Sequence, residues 1–546
     1  MKHRGVIAGV LLGAGLLIFS GLAAVSIHVP WGRDQGVAAY VATVMAEGGA
    51  VYKDVYHFNL PGIFFAYRLA LWLPLPPVTA VNLLHLVSVI LTYLIVFLAA
   101  RKIMDPVYAA LAAVFYGAFA VVIYTAYWDM AQKESLAAPA LALCLLFSLK
   151  TLKDGGPDSP EAEQRPSALL PAAFSGLAGL FAGLAAQFKP TLGIVLFAAL
   201  YPAWRRRPSS AALLSASCLV GFGLSFVPLV IYLQRHEAFG AMLESVVKFG
   251  GFYGGQAYDG FGGTLSKIAR NLLAWLYKWH FMAALGAAGL IALSKKSSAG
   301  FRLALGFGLL LLVQMITQMK FFTYHFIPLL IPCALLAARG AEFVLGGESD
   351  GTTKARRFAL GLLVFALLIG NLGPHSKRYR REMLYDLGRI DRVTFLSAYG
   401  RWGVGDMCAL ASEAVAQYLK SHTRPEDPIL IFGHEPGLYV MAERRAPTRF
   451  AYDQPLVTEP DGSRKFARYR EQMREEFLSD LAGSPPRYIV VIENDQSPIK
   501  PEDSFTLMQK FTAFKELIDR DYFLETKIED YYIFRRREAP FRGASP

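Results

Sequence analysis

The sequence has few charged residues. Only 18% of its 546 residues are Asp, Glu, Lys or Arg, while 54% are hydrophobic, and the mean hydropathy is +0.35. A soluble globular chain carries about 25% charged residues. This shortage excludes an ordinary soluble enzyme. It predicts a polytopic α-helical membrane protein that has the lipid bilayer as a partner.

Cysteine is also scarce. Three of the four cysteines, Cys144, Cys218 and Cys333, lie inside apolar runs, and Cys408 stands alone in the polar C-terminal part. This pattern contains neither a disulfide framework nor the spacing of a metal site. The chain also lacks a G-x-G-x-x-G nucleotide fingerprint.

The net charge of +12 comes largely from short clusters of Lys and Arg between apolar runs, so it indicates topology and not nucleic-acid binding. A span needs roughly 20 apolar residues, which predicts about eleven transmembrane helices. They lie near 5–27, 78–100, 105–125, 134–152, 168–187, 191–204, 211–233, 279–294, 300–318, 322–345 and 358–373. The basic clusters then share one side, the cytoplasmic one, together with the N-terminus.

The first outer loop, 28–77, places Asp34 just beyond the first span. That span continues to Ile27 without a convincing cleavage site, so we expect it to remain uncleaved. A helical pattern with apolar residues on one side follows Asp34. Such a loop suggests a catalytic or binding role for Asp34, and the alternative is a carboxylate that caps the helix. A second outer loop, 234–278, is rich in glycine and aromatic residues.

The composition divides the chain into a membrane domain, 1–375, and an outer domain, 376–546. In the outer part, helical patterns near 405–420, 463–483 and 502–520 alternate with strand-like runs. These runs read PILIFG, TRFAY, RYIVVIE and YYIFRR. The alternation predicts a soluble α/β domain outside the membrane. His434 and Glu435 lie in the segment GHEPG and are interpreted as turn residues.

Several segments resemble the membrane glycosyltransferases with the C-type fold, such as the protein O-mannosyltransferases and the lipid A aminoarabinose transferases. The resemblance covers roughly residues 1–375. It rests on the Asp34–Gln35 loop with AYVATVMAEGGAVYKDV, and on YWDMAQKES, GLAAQFKPTLGI and KFFTYHFIPLLIP. Many members have Glu at the position of Gln35.

The resemblance implies a sugar donor linked to polyprenyl phosphate, an active site at the outer face of a bacterial inner membrane and a periplasmic C-terminal domain. The acceptor remains open among a protein, lipid A and an envelope glycan. The reaction is a single displacement that needs a base and a positive site for the leaving phosphate. Asp34 is the candidate base.

Five further residues are candidates for this site. Asp129 and Glu134 are candidates for positioning the acceptor or for coordinating a divalent cation with Asp34; the alternatives are a solvated loop acid and a helix-start acid. Lys189 and Lys320, assisted by His325, are candidates for binding the donor phosphate; the alternative for the lysines is snorkelling to the headgroups.

Two other classes of function remain open. A transporter or flippase of lipid-linked saccharides predicts charges inside the spans and often internal repeats, and the sequence shows few such charges and no evident repeat. A non-catalytic envelope scaffold predicts that Asp34 is replaceable.

Overall fold

The computed structural model describes nearly all of the chain. The described residues are 2–123, 126–152, 169–255, 260–295, 298–345, 376–400, 407–459, 464–497 and 500–537.

Sixteen helices form the described part of residues 1–345. They are α1 (Lys2–Val25), α2 (Arg33–Ala46), α3 (Gly62–Leu71), α4 (Pro77–Ala100), α5 (Pro106–Gly117), α6 (Lys133–Thr151), α7 (Leu169–Phe188), α8 (Leu196–Trp204), α9 (Pro208–Ser225), α10 (Val227–Arg235), α11 (Phe239–Met242), α12 (Gly250–Gly255), α13 (Gly260–Lys278), α14 (His280–Lys295), α15 (Ala299–Thr317) and α16 (Leu330–Leu345). Short π-helical or 3₁₀ segments cover Ala118–Ile123, Tyr127–Asp129, Pro190–Val195, Leu243–Phe249 and Thr323–Leu329.

Within the described residues, 7 helical segments are long and apolar enough to cross a membrane, or 8 if the bent pair α13 and α14 forms one span. The predicted spans at 105–125 and 191–204 correspond to shorter apolar helices. The predicted span at 358–373 lies outside the described residues. The helices support a multi-pass membrane protein, and the total of about eleven spans stays a prediction.

Basic segments between the apolar helices lie at one end of the bundle. Arg4 at the start of α1 contacts Asp105 before α5, at 3.1 Å. Arg206 after α8 donates a hydrogen bond of 2.8 Å to the carbonyl of Thr151 at the end of α6. The start of α15 lies against α6 and the turn between α4 and α5. This shared end agrees with the topology that the charge pattern predicts.

The C-terminal part contains a four-stranded sheet with helices on both faces. Its elements are α17 (376–386), α18 (Arg392–Leu396), α19 (Ala409–His422), β1 (Ile429–Phe432), α20 (Gly437–Ala442), α21 (Gln454–Val457), α22 (Arg464–Gly483), β2 (Tyr488–Ile492), α23 (Ser504–Lys510), α24 (Thr512–Asp521), β3 (Tyr522–Ile528) and β4 (Tyr531–Arg536). The strand order is β1-β2-β4-β3, in which only β1 and β2 pair in parallel.

Alternate residues of the buried strands divide the core of this domain. Ile429 and Ile431 of β1 pack towards α19 and α20, whereas Leu430 and Phe432 pack towards α22 and α24. This alternation follows from the two-residue period of a strand. The runs PILIFG, RYIVVIE and YYIFRR form β1, β2 and β4 as predicted. The run TRFAY does not form a strand; β3 pairs with β4 instead.

The C-terminal domain docks on α2. Gly36 of α2 and Gly437 of α20 approach so closely that a Cβ atom on Gly36 would lie 2.9 Å from the backbone nitrogen of Gly437. The rings of Tyr40 and Tyr439 lie 4.6 Å apart, and the Tyr40 hydroxyl accepts a hydrogen bond of 2.9 Å from the backbone N–H of Ala446. This close approach brings the end of β1 next to the start of α2.

Candidate active site

A cavity of about 640 Å³ lies where the helix bundle meets the C-terminal domain. Its lining comes from the first outer loop, the segment before α6, the turns after α7 and α15, and the C-terminal domain. The charged and titratable residues on its wall are Arg33, Asp34, His57, Lys133, Lys189, Lys320, His325, His434, Asp495 and Lys500. We call this cavity the chamber.

Asp34 lies in the first turn of α2 and faces the chamber. Its Oδ2 accepts a hydrogen bond of 3.0 Å from the Tyr324 hydroxyl, and its Oδ1 lies 3.6 Å from Nε2 of His434. The side chain is 43% exposed, so part of the carboxylate remains open to an incoming molecule. Burial raises the pKa of Asp34, but His434, Lys133 and Tyr324 together lower it well below the usual range. Asp34 is therefore ionised at neutral pH.

Gln35 caps α2 and links it to the segment before α6. Its Oε1 accepts the Gly32 N–H at 3.1 Å, while its Nε2 donates to the carbonyls of Tyr127 and Met130 at 3.1 and 2.7 Å. Asp34 has no such capping bond among the described contacts, so the alternative interpretation of Asp34 as a helix cap fails. The Gln35 amide can donate to both carbonyls, whereas the carboxylate of a Glu, which many members of the resembled family have here, could only accept.

Three lysines reach the chamber. The predicted residues Lys189 and Lys320 are joined there by Lys133, which the sequence analysis missed. Burial lowers the pKa of Lys320 to about 7, and the neighbouring Lys133 and Lys189 add to this effect. Burial likewise lowers the pKa of Lys189 and Lys133 contributes to the decrease, although Glu134 opposes it. The three amino groups make this part of the wall basic, and an anion bound there would favour their charged forms.

Glu134 and His325 lie behind Lys189. The Lys189 ammonium forms a buried ion pair with Glu134 Oε1, and His325 Nε2 lies 3.8 Å from the same oxygen. The Glu134 side chain is only 1% exposed. Glu134 is thus the buried partner of Lys189, and its expected role in positioning the acceptor stays a prediction.

Asp129 lies apart from the chamber wall. Its Oδ1 accepts a hydrogen bond from the Thr323 hydroxyl, and it lines a second cavity of about 10 Å³ beside His85. Burial raises the pKa of Asp129 to about 7 despite this hydrogen bond. Within the described residues, no three His, Cys, Asp or Glu side chains converge to hold a metal ion. The described residues thus do not bring Asp34, Asp129 and Glu134 together, and a divalent cation held by these three residues stays a prediction.

Two histidines, His434 and His57, line the chamber together with Asp34. His434, which sequence analysis interpreted as a turn residue, follows β1 at the edge where the parallel pair ends. That position, at the carboxyl end of a parallel strand, is the signal that would have identified it. His57 is buried, and burial lowers its pKa to about 3 with a further contribution from Lys133. His57 is consequently neutral at physiological pH.

Comparison with solved structures identifies the fold. The chain is similar to ArnT from Cupriavidus metallidurans, crystallised with undecaprenyl phosphate, at a TM-score of 0.56 and 13% sequence identity over 96% of this chain and 97% of that one. The apo form of the same protein gives a TM-score of 0.55 at 11% identity, with the same coverage of both chains. The chain has the C-type glycosyltransferase fold.

This C-type fold spans both parts of the chain, because the alignment with ArnT includes the C-terminal domain. The oligosaccharyltransferase of Archaeoglobus fulgidus, solved with a tethered acceptor peptide, is also similar, at a TM-score of 0.48 and 11% identity over 97% of this chain and 74% of that one. No protein-family model matches the sequence. No curated protein sequence matches it either.

Proposed function

We propose that the chain is a membrane glycosyltransferase that uses a sugar donor linked to polyprenyl phosphate. The observation that carries the proposal is the chamber, in which one ionised carboxylate, Asp34, faces Lys133, Lys189 and Lys320. A similar fold crystallises with undecaprenyl phosphate in ArnT. A carboxylate opposite a positive wall suits an acceptor that must lose a proton and a leaving group that departs as a phosphate.

The positive wall serves the donor phosphate. Lys189 is already paired with Glu134, so its charge is partly compensated. Lys133 makes neither an ion pair nor a hydrogen bond within the described residues, and its charge is available to the leaving phosphate. Lys320 gains its proton readily when an anion arrives, because a negative neighbour favours the charged ammonium. Lysines act here as point charges on the phosphate oxygens.

Asp34 serves the acceptor. In a single displacement, the acceptor oxygen or nitrogen forms a bond to the anomeric carbon while the bond from that carbon to the phosphate oxygen breaks. The electron pair of the broken bond leaves with the polyprenyl phosphate. Asp34 accepts the hydrogen bond of the attacking group and takes its proton as that group becomes acidic in the transition state. Its low pKa makes Asp34 a weak base for a free hydroxyl, so its principal contribution is orientation and charge.

The membrane setting follows from the same arrangement. The chamber lies at the end of the bundle opposite the basic segments, where the positive-inside rule places the outer face. We propose a bacterial inner membrane, a cytoplasmic N-terminus and a periplasmic C-terminal domain, with about eleven spans. The acceptor class stays open among a protein, lipid A and an envelope glycan.

Donor consumption by the purified protein tests this function. The protein in lipid nanodiscs is incubated with a panel of polyprenyl-phosphate sugars, and release of polyprenyl phosphate is followed. We expect one donor to be consumed, and Lys133→Gln to slow its consumption. The matched control Lys53→Gln changes an exposed lysine of the same loop region, paired with Glu237 at 3.8 Å, and should behave as wild type. Movement of an intact lipid-linked sugar between leaflets without its consumption would support a transporter instead.

A further inference from the structure

The C-terminal domain contributes a side chain directly to the carboxylate of Asp34. His434 Nε2 lies 3.6 Å from Oδ1, while the other oxygen accepts the Tyr324 hydroxyl. Only 22% of the His434 side chain is exposed, and its ring meets Tyr452 edge-on at 5.4 Å. The two carboxylate oxygens are thus approached from different parts of the chain, one from the bundle and one from the C-terminal domain.

Buried Glu435 anchors the turn that carries His434. The Ser412 hydroxyl of α19 donates to Glu435 Oε1, and the Tyr531 hydroxyl of β4 donates to Oε2 at 2.7 Å. Glu435 is only 2% exposed. A buried carboxylate with both oxygens satisfied holds its backbone firmly, because any displacement would leave a buried charge unpaired. The turn is therefore rigid on its inner side.

A second buried network holds the same turn from the chamber side. The His434 backbone N–H donates to Asp495 Oδ2 at 3.3 Å, and Lys500 bonds that oxygen at 2.6 Å and Asp453 Oδ2 at 2.9 Å. The Ser504 hydroxyl lies 2.6 Å from Asp495 Oδ2 and 2.7 Å from Asp453 Oδ2, and its backbone N–H donates to Asp495 Oδ1 at 2.7 Å. A network in which each member restrains the others is an expensive way to build a surface turn. Through Asp495 the network restrains the backbone at His434.

We propose that His434 is a positioning residue for Asp34, so that the active site is complete only when the C-terminal domain is docked on α2. The imidazole Nε2 lies beside Oδ1 while the Tyr324 hydroxyl donates to Oδ2, so the carboxylate is held from both sides and its remaining lone pairs face the chamber. The catalytic consequence rests on the proposed function; the pair itself does not.

Other charged groups around the pair fit this assignment. Lys133 from α6 lowers the pKa of Asp34, as His434 does. Arg33 on α2 donates a hydrogen bond of 3.4 Å to the backbone carbonyl of Asp495. His57 is neutral because it is buried. His434 is thus the group that both touches the carboxylate and belongs to the other domain.

Two substitutions distinguish positioning from proton transfer. His434→Gln keeps an N–H donor near the position of Nε2 but cannot act as a base, whereas His434→Ala removes both functions. We expect His434→Ala to lower kcat by about tenfold or more with little change in KM for the donor, because Asp34 loses a polar contact that orients its carboxylate. His434→Gln should recover most of the activity. The control His422→Ala, at the exposed end of α19, should match wild type.

Equal activity of His434→Ala and wild type would overturn the proposal. Equal inactivation of His434→Ala and His434→Gln would overturn it as well, because His434 would then be the proton acceptor.

A measurement independent of turnover tests the pair itself. In protein labelled with ¹³C-aspartate, the Asp34 carboxyl signal is assigned by its loss in Asp34→Asn. We expect the wild-type signal to remain that of a carboxylate down to about pH 4, and to titrate at higher pH in His434→Ala, because burial then raises the pKa with less opposition. Identical titration curves of Asp34 in wild type and His434→Ala would overturn the proposed contact between Asp34 and His434. If the titrations differ while wild type consumes no donor, the pair stands and the proposed function fails.

Discussion

Lys189 and Glu134 form a buried ion pair that joins the turn after α7 to the first turn of α6. The Lys189 side chain is 13% exposed and Glu134 is almost fully enclosed. The pair thereby fixes the distance between two helix ends that both contribute to the chamber wall. Removing one member of such a pair leaves the other charge buried and uncompensated.

We predict that Glu134→Gln and Lys189→Met each lower the stability of the protein by on the order of 3 kcal/mol, and that the double substitution loses less than the two losses summed. The apparent unfolding temperatures of the two single variants and the double variant, compared with wild type in detergent, test these losses. The exposed pair of Lys53 and Glu237 is the control and should contribute almost nothing. Additive losses in the buried pair would show that the two residues act independently.

We expect Lys320 to make the binding of the proposed donor depend on pH. Because its pKa in the free protein is about 7, Lys320 is charged at pH 6 and largely neutral at pH 8.5. We predict that the affinity for polyprenyl phosphate falls as pH rises through this range. Lys320→Arg should remove this dependence, since a guanidinium stays protonated, whereas Lys133→Arg should retain it. A binding titration at several pH values checks both variants; identical pH dependence in wild type and Lys320→Arg would refute the assignment.

Because its pKa is raised, we expect Asp129 to make the free energy of unfolding depend on pH in the sense opposite to that of most carboxylates. Its pKa is about 7 in the folded protein and near 3.9 in an unfolded chain, so the folded state binds the proton more tightly. Its contribution to stability is therefore present below about pH 4 and is lost as pH rises to about 7. We predict that Asp129→Asn raises the apparent unfolding temperature at pH 8 more than at pH 5. The exposed Asp54→Asn should show no such difference.

Gln35 stands where many members of the family that this sequence resembles have Glu, and its contacts explain the difference. Its amide donates to two carbonyls, so a carboxylate at this position would face two acceptors inside a buried site. We predict that Gln35→Glu lowers the unfolding temperature at neutral pH, while Gln35→Asn, which is too short, also loses the bonds. A Gln35→Glu protein as stable as wild type would mean that the linkage to Tyr127 and Met130 contributes little.

Sequence patterns predicted much of the fold because they reflect local physics. Apolar runs and strand alternation identified the long helices and β1, β2 and β4, since each depends on residues near one another in the chain. The prediction of a strand at TRFAY was wrong because its apolar residues are buried in an irregular segment and not in the sheet. β3 was missed because this edge strand does not alternate: the apolar Phe523 and Leu524 are exposed side by side, and the charged Glu525 and Lys527 follow them.

The candidate site was only partly accessible from sequence. Asp34, Lys189, Lys320 and His325 line the chamber as a group, and each lies at or near the end of a predicted span. The contact between Asp34 and His434 spans hundreds of residues and depends on how the C-terminal domain docks through Gly36. No local pattern encodes that docking. The pairing of Glu134 with Lys189 is equally non-local.

Replacement of a single carboxylate tests the account most directly. Wild type and Asp34→Asn are compared in nanodiscs with the donor that wild type consumes, after equal folding and equal donor affinity are verified. We predict that Asp34→Asn binds donor but loses at least about a hundredfold in turnover, because orientation and proton acceptance are both removed. Turnover by Asp34→Asn at the wild-type rate would contradict the assignment of the active site to this chamber.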